Sequence, residues 1–207
     1  MSARDDILNE VKAALGPTPA RPTISIPRDY RTGTDDDLDT FLDRLAHYEA
    51  ITHVIDEADL EPTIRKILEH KRIVTPAGIP DEWIENPLRD DPALDPYELD
   101  ASDGVLTTCA LAIAQTGTIV LDGGPGMGRR ALTLLPDYHL CVVRQGQLVS
   151  SVPEAIGKLK DDPTRPLTFI SGPSATVDIE MVRVRGVHGP RRLEVILVTG
   201  TRIGAAA

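Results

Sequence analysis

Apolar residues run through this chain in two rhythms. Over residues 5–15, Ile7, Leu8, Val11 and Leu15 fall on one helical face, with Asp5 and Asp6 in the first turn, where the helix dipole favours negative charge. Leu38–Ala50, Leu60–His70 and Pro153–Leu159 also read as helices. Between them lie short apolar runs that read as strands: Thr52–Ile55, Arg72–Thr75, Val105–Leu106, Thr118–Leu121, Leu140–Val143, Leu167–Ile170 and Leu193–Val198. Ala110–Gln115 reads as a helical turn, as does the vicinity of Trp83, and Thr176–Val184 fits either state. Strands alternating with helices predict βαβ units, hence an α/β fold with a mostly parallel sheet flanked by helices.

Prolines set the boundaries. Gly16–Thr34 holds four of them (17, 19, 22 and 27) and predicts an extended linker. The expected organisation is a helix-and-linker arm over residues 1–34 and one α/β domain over 35–207. Residues 76–103 carry five more prolines among many acids and predict a long, mostly irregular loop.

Composition narrows the class. Hydrophobic residues at 41% with only 3% aromatics imply an aliphatic core, the usual filling of a buried parallel sheet. No apolar run approaches the ~20 residues of a membrane helix, and the acidic start MSARDDILNE is unlike a secretory signal. A cytoplasmic protein with no membrane span is expected. A net charge of −10 disfavours nucleic acid as a partner. That charge is uneven: residues 1–103 hold 24 acids and 11 bases, and residues 104–207 hold 8 acids and 11 bases. A mildly basic second half suits a local site for a small anionic metabolite, and equally an uneven solvated surface. Cys109 and Cys141 are the only cysteines. Two thiolates cannot hold an iron–sulfur cluster alone, so both are expected in the core.

Four loops could carry chemistry. Gly123-Gly-Pro-Gly-Met-Gly128 precedes Arg129 and Arg130 and nearly spells a phosphate loop, but lacks its Lys and hydroxyl residue. Backbone N–H groups at Gly126 and Gly128, with Arg129 as the strongest charged contact, form a candidate anion site; a Gly-rich surface turn is the structural alternative. Thr116-Gly117-Thr118 sets hydroxyls on both sides of a glycine. Gly172-Pro-Ser174-Ala-Thr176-Val-Asp178 leaves a predicted strand, where Ser174 or Thr176 could cap a helix or hold a ligand. Gly186-Val-His188-Gly-Pro-Arg191 enters the last strand, with His188 as acid, base or ligand, or as a structural histidine. If that strand is parallel to the others, His188 lies at the sheet end opposite Gly123 and Gly172. The remaining histidines show no metal spacing, and no metal site is expected.

The wording of these loops resembles the lactate-utilisation protein C family of LUD-domain proteins. Gly172–Glu180 and Gly186–Arg191 carry the resemblance, together with Ala114–Thr118, Gly123–Arg130 and Leu134–Pro136, all in the family's order. The resemblance implies the layout shared by sugar-phosphate isomerases and CoA transferases. It also implies a role in a three-protein system that oxidises L-lactate to pyruvate, with iron–sulfur clusters on partner subunits and no cofactor in this chain. The family often has Glu where this chain has Gln115, and glutamine can serve neither as nucleophile nor as base. Three roles stay open: a non-redox subunit or assembly factor beside iron–sulfur partners, a stand-alone enzyme using Arg129, Asp178 and His188, and a metabolite sensor. Whether the chain is an enzyme, and whether it forms an oligomer, are left open by the sequence.

Overall fold

The computed structural model describes residues 2–16, 25, 27, 29, 37–160, 164–176, 184–185 and 189–200. The chain divides into two units, Met1–Tyr30 and Arg31–Ala207. In the first, α1 (Ala3–Leu15) begins at a capping box: Ser2 Oγ accepts from the Asp5 N–H, and the Asp5 carboxylate accepts from the Ser2 N–H at 3.2 Å. Its stripe of Ile7, Leu8, Val11 and Leu15 is exposed.

The second unit is built on a six-stranded, wholly parallel sheet. Its strands are β1 (Ile51–Asp56), β2 (Ile73–Thr75), β3 (Leu88–Arg89), β4 (Gly104–Thr107), β7 (Tyr138–Arg144) and β12 (Arg192–Thr199). They lie in the order β1-β12-β7-β4-β2-β3. Alternation along β12 gives the sheet two apolar faces. Ile196 and Val198 pack with Leu60, Ile64 and Leu68 of α3 (Leu60–Leu68) and with Trp83. Leu193, Val195 and Leu197 face the other way, toward Phe41 and Leu45 of α2 (Asp37–His47) and toward a second sheet. Each fully buried Leu, Ile or Phe contributes roughly 1.5–3 kcal/mol, so these two faces dominate the stability of the unit.

The second sheet has the order β8-β5-β6-β9, from β5 (Leu111–Ile113), β6 (Thr118–Leu121), β8 (Leu148–Val149) and β9 (Thr168–Ile170). β6 is antiparallel to both β5 and β9. The α/β class and the parallel sheet match expectation, but Thr118–Leu121 and Leu167–Ile170 do not join that sheet. Leu111–Ile113 is a strand rather than a helical turn, because its three residues are buried and pair with both β6 and β8. α5 (Val152–Leu159) covers this sheet through Ala155 and Leu159.

Within the Pro-rich stretch, α4 (Pro96–Asp100) carries a capping box between Asp95 and Glu98 with proline at its start. Thr176–Val184 is bounded by the short antiparallel strands β10 (Ala175–Thr176) and β11 (Val184–Arg185), and residues 177–183 lie outside the described residues. Among the described residues, no helix is long and apolar enough to cross a membrane.

Candidate binding cleft

The Gly-rich loop after β6 closes on itself. The Gly124 N–H donates to Asp122 Oδ1 at 2.9 Å, and the N–H groups of Met127 and Gly128 donate to Gly124 O at 3.0 and 3.1 Å. The Gly126 N–H donates to Ala77 O at 2.7 Å, while Gly126 O accepts from the Thr108 N–H at 2.8 Å. The amides that could have cradled an anion therefore already have partners. Arg129 is similarly occupied. Its Nε and Nη2 donate to the two Asp90 oxygens, each at 2.8 Å, and Nη2 also donates to Leu94 O at 2.7 Å. Asp90 is half-buried, with only 6% of its side chain exposed, and the Arg129 hydrogen bonds hold its carboxyl below the usual carboxylate range. A hollow of about 360 Å³ lies here against Pro76, Ala77 and Gly123. Gly126, Gly128 and Arg129 thus form a clasp that ties the β6 exit to the loops after β2 and β3.

A separate cleft of about 440 Å³ opens at the entry ends of β7 and β12. The last strand is parallel to its neighbours, which sets Gly189–Arg191 at the end opposite the exits of the parallel strands. β9, however, runs antiparallel in the second sheet and delivers Gly172 to that same end. The Ser174 N–H donates to Pro190 O at 2.8 Å, joining the two loops. Gly172 and Gly189 therefore share one cleft, and Gly123 lines the other hollow. Gly172 has φ +84°, and a Cβ there would sit 2.5 Å from Tyr48 Cβ, so both backbone and packing require glycine.

Three side chains from the middle of the chain complete the cleft: Arg130, Thr133 and His139. Buried His139 is placed by β7 and bonds Thr107 of β4, Nε2 to Oγ1, at 2.7 Å. Arg130 Nη1 donates to the buried Thr133 Oγ1 at 3.1 Å. Unlike Arg129, Arg130 meets no carboxylate among the described residues, and none of the described residues lining the cleft is Asp or Glu. Thr116 and Thr118 reach the rim indirectly, through a hydroxyl chain Thr116–Thr118–Ser171 with both steps at 2.7 Å. Gly117 between them has φ +62° and lies against Arg44 of α2, which gives it a packing role.

Among the remaining candidates, Ser174 lines the cleft, and Thr176 belongs to β10. Asp178 and His188 lie outside the described residues. Arg191 pairs with Asp137, Nε to Oδ1 at 3.0 Å, bracing the chain just before β7 against the start of β12. His139 and Thr133 had no signal in the sequence, since a histidine or threonine within an apolar run reads as core.

The opposite face of the parallel sheet holds a polar cluster. Buried Glu194 takes a hydrogen bond from Tyr138 Oη at 2.8 Å and lies 2.6 Å from His53 Nε2. Burial, then the Glu194 charge, pushes the Tyr138 hydroxyl above its ordinary range. Both cysteines are free and buried; a hydrogen bond with Cys141, then burial, pushes the Cys109 thiol up. Among the described residues, no group of three or more His, Cys, Asp or Glu side chains is placed to hold a metal ion.

The LUD domain profile matches residues 97–198, the span that contains both hollows except for the loops after β2 and β3. Lactate utilization protein C of Deinococcus radiodurans is 50% identical over 167 residues, which cover 78% of this chain and 79% of that protein. The proteins of the same name from Shouchella clausii and Bacillus subtilis are 35% and 32% identical, over stretches spanning 46% and 41% of their own lengths. A crystal structure of a DUF162 family protein from Deinococcus radiodurans superposes with a TM-score of 0.69 at 44% identity, covering 79% of this chain and 96% of that one. The chain belongs to the LUD-domain family, among the lactate utilization C proteins.

Proposed function

We propose that this protein is the non-redox component of a system that oxidises L-lactate to pyruvate, acting beside partner subunits that carry the iron–sulfur clusters. The 50% identity to a lactate utilization protein C, over about four fifths of both chains, carries this reading. The cysteine count supports the division of labour. Cluster sites are most often built from four thiolates, and this chain has two, both in the apolar core. The electrons leaving lactate would then pass through partner groups, and this chain would contribute binding and assembly. Deleting the gene in its native host should abolish growth on L-lactate and spare growth on pyruvate. The tagged chain should also retain iron-containing proteins on purification under anaerobic conditions. Normal growth on lactate after deletion would refute the role.

A further inference from the structure

We infer that the cleft between the β9–β10 loop and the entry of β12 is a binding site for a small hydroxy- or oxo-carboxylate, with Arg130 as its anion-holding residue. The choice of carboxylate over other small anions rests on the lactate reading above; the site itself rests on geometry. Arg129 and Arg130 are chemically identical neighbours with opposite surroundings. Arg129 is saturated by Asp90, whereas Arg130 stands at a cleft with no acidic side chain among its described lining residues. A guanidinium presents a planar fork of donors suited to two carboxylate oxygens. Here the Thr133 hydroxyl takes one Nη1 hydrogen bond and steadies the fork.

The rest of the lining supplies what a 2-hydroxy or 2-oxo group needs. Ser171, held by the Thr118 hydroxyl, stands on one side, and His139, held by Thr107, forms part of the buried floor. Phe169, Ile170 and Leu193 offer apolar surface to a short carbon chain. A volume of about 440 Å³ falls in the range of small-molecule sites and leaves room for bridging water.

The test is calorimetric titration of the full chain with L-lactate, pyruvate, acetate and inorganic phosphate, repeated on Arg130→Ala, Arg130→Lys and Arg89→Ala. Arg89 serves as the charge control because it sits on the far-edge strand β3, paired with Asp81. Thermal melts verify that each variant is folded. Lactate or pyruvate should bind more tightly than acetate. Arg130→Ala should raise its Kd at least about tenfold, Arg130→Lys should fall between, and Arg89→Ala should match the wild type. Three results would overturn the assignment: no carboxylate bound, equal affinity in folded Arg130→Ala, or binding of phosphate alone. The growth phenotype separates this claim from the functional one. Loss of growth on lactate with no carboxylate binding sinks the site and keeps the role, whereas Arg130-dependent binding with normal growth does the reverse.

Discussion

Two glycine-bearing loops in this protein look alike as strings and behave as opposites. The Gly123–Gly128 loop turns its amides onto its own carbonyls, the Asp122 carboxylate and Ala77, and ends in an arginine gripped by Asp90. The loop through Gly172 uses its glycine to pass over Tyr48 and joins the Gly189–Pro190 turn through the Ser174 N–H to Pro190 O bond, leaving a cleft between them. Glycine permits either outcome. What separates them is a nearly enclosed carboxylate: Asp90 neutralises one arginine, and nothing comparable among the described residues faces the next. A clasp and an open cleft can thus be seeded by adjacent residues, and the partners decide which is which.

The clasp should be the energetically heavier of the two. Asp90→Ala would strand the Arg129 fork and the Leu94 N–H, which Asp90 Oδ1 accepts at 2.9 Å. Removing the enclosed carboxylate of this hydrogen-bonded pair should cost about 3 kcal/mol, or roughly 6–12 °C of melting temperature in a domain of this size. Arg129→Ala should cost somewhat less, about 2 kcal/mol, since the arginine is partly exposed. The double variant should be well short of additive, with a coupling of about 1–2 kcal/mol by urea unfolding. Additive losses would mean that the two side chains do not act as a unit.

On the cleft side, Gly172→Ala should be the costliest single change. The left-handed backbone and the contact with Tyr48 together should cost about 2–3 kcal/mol, with carboxylate affinity falling alongside stability. Retained affinity in a destabilised Gly172→Ala would show that the loop supports the fold without shaping the cleft.

The sequence made the layers legible and the site only partly so. Aliphatic runs such as Leu193–Val198 and the helical spacing of Leu60, Ile64 and Leu68 reach the structure nearly unchanged, because burial on both sheet faces demands them. The second sheet was hidden, since a three-residue buried run such as Leu111–Ile113 carries no periodicity that separates strand from turn. Ser174 and Gly172 were visible as loop residues at a strand end. Nothing local in the sequence separates Arg129 from Arg130, because the distinguishing partner, Asp90, is 39 residues away. The same holds for His139 with Thr107 and for Glu194 with Tyr138, pairs made only by strand register.

Acid should expose the clasp before the cleft. Arg129 lowers the Asp90 carboxyl in the folded state below the ~3.9 expected of an unfolded aspartate. Its stabilisation is therefore fully present above about pH 4 and drains away as pH falls through the lowered folded value. Asp90→Asn lacks that titration. Wild type should lead the variant in urea unfolding at pH 7 and 5, and the gap should narrow at pH 3. A gap unchanged between pH 5 and pH 3 would assign the stabilisation to packing rather than to the ion pair.

The smallest effect is the sharpest probe of the comparison. Arg130 is exposed and bonds only to Thr133 among the described residues, so truncating it leaves no buried charge behind. Arg130→Ala should change stability by less than about 0.5 kcal/mol and shift the melting temperature by no more than ~2 °C. Its neighbour Arg129→Ala, one residue away and identical in chemistry, should shift it several-fold further. Adding L-lactate or pyruvate should raise the melting temperature of wild type and leave Arg130→Ala where it was, by the mass-action linkage of any ligand that binds only the folded state. A large melting loss in ligand-free Arg130→Ala would place this arginine with the clasp and dissolve the contrast between the two loops.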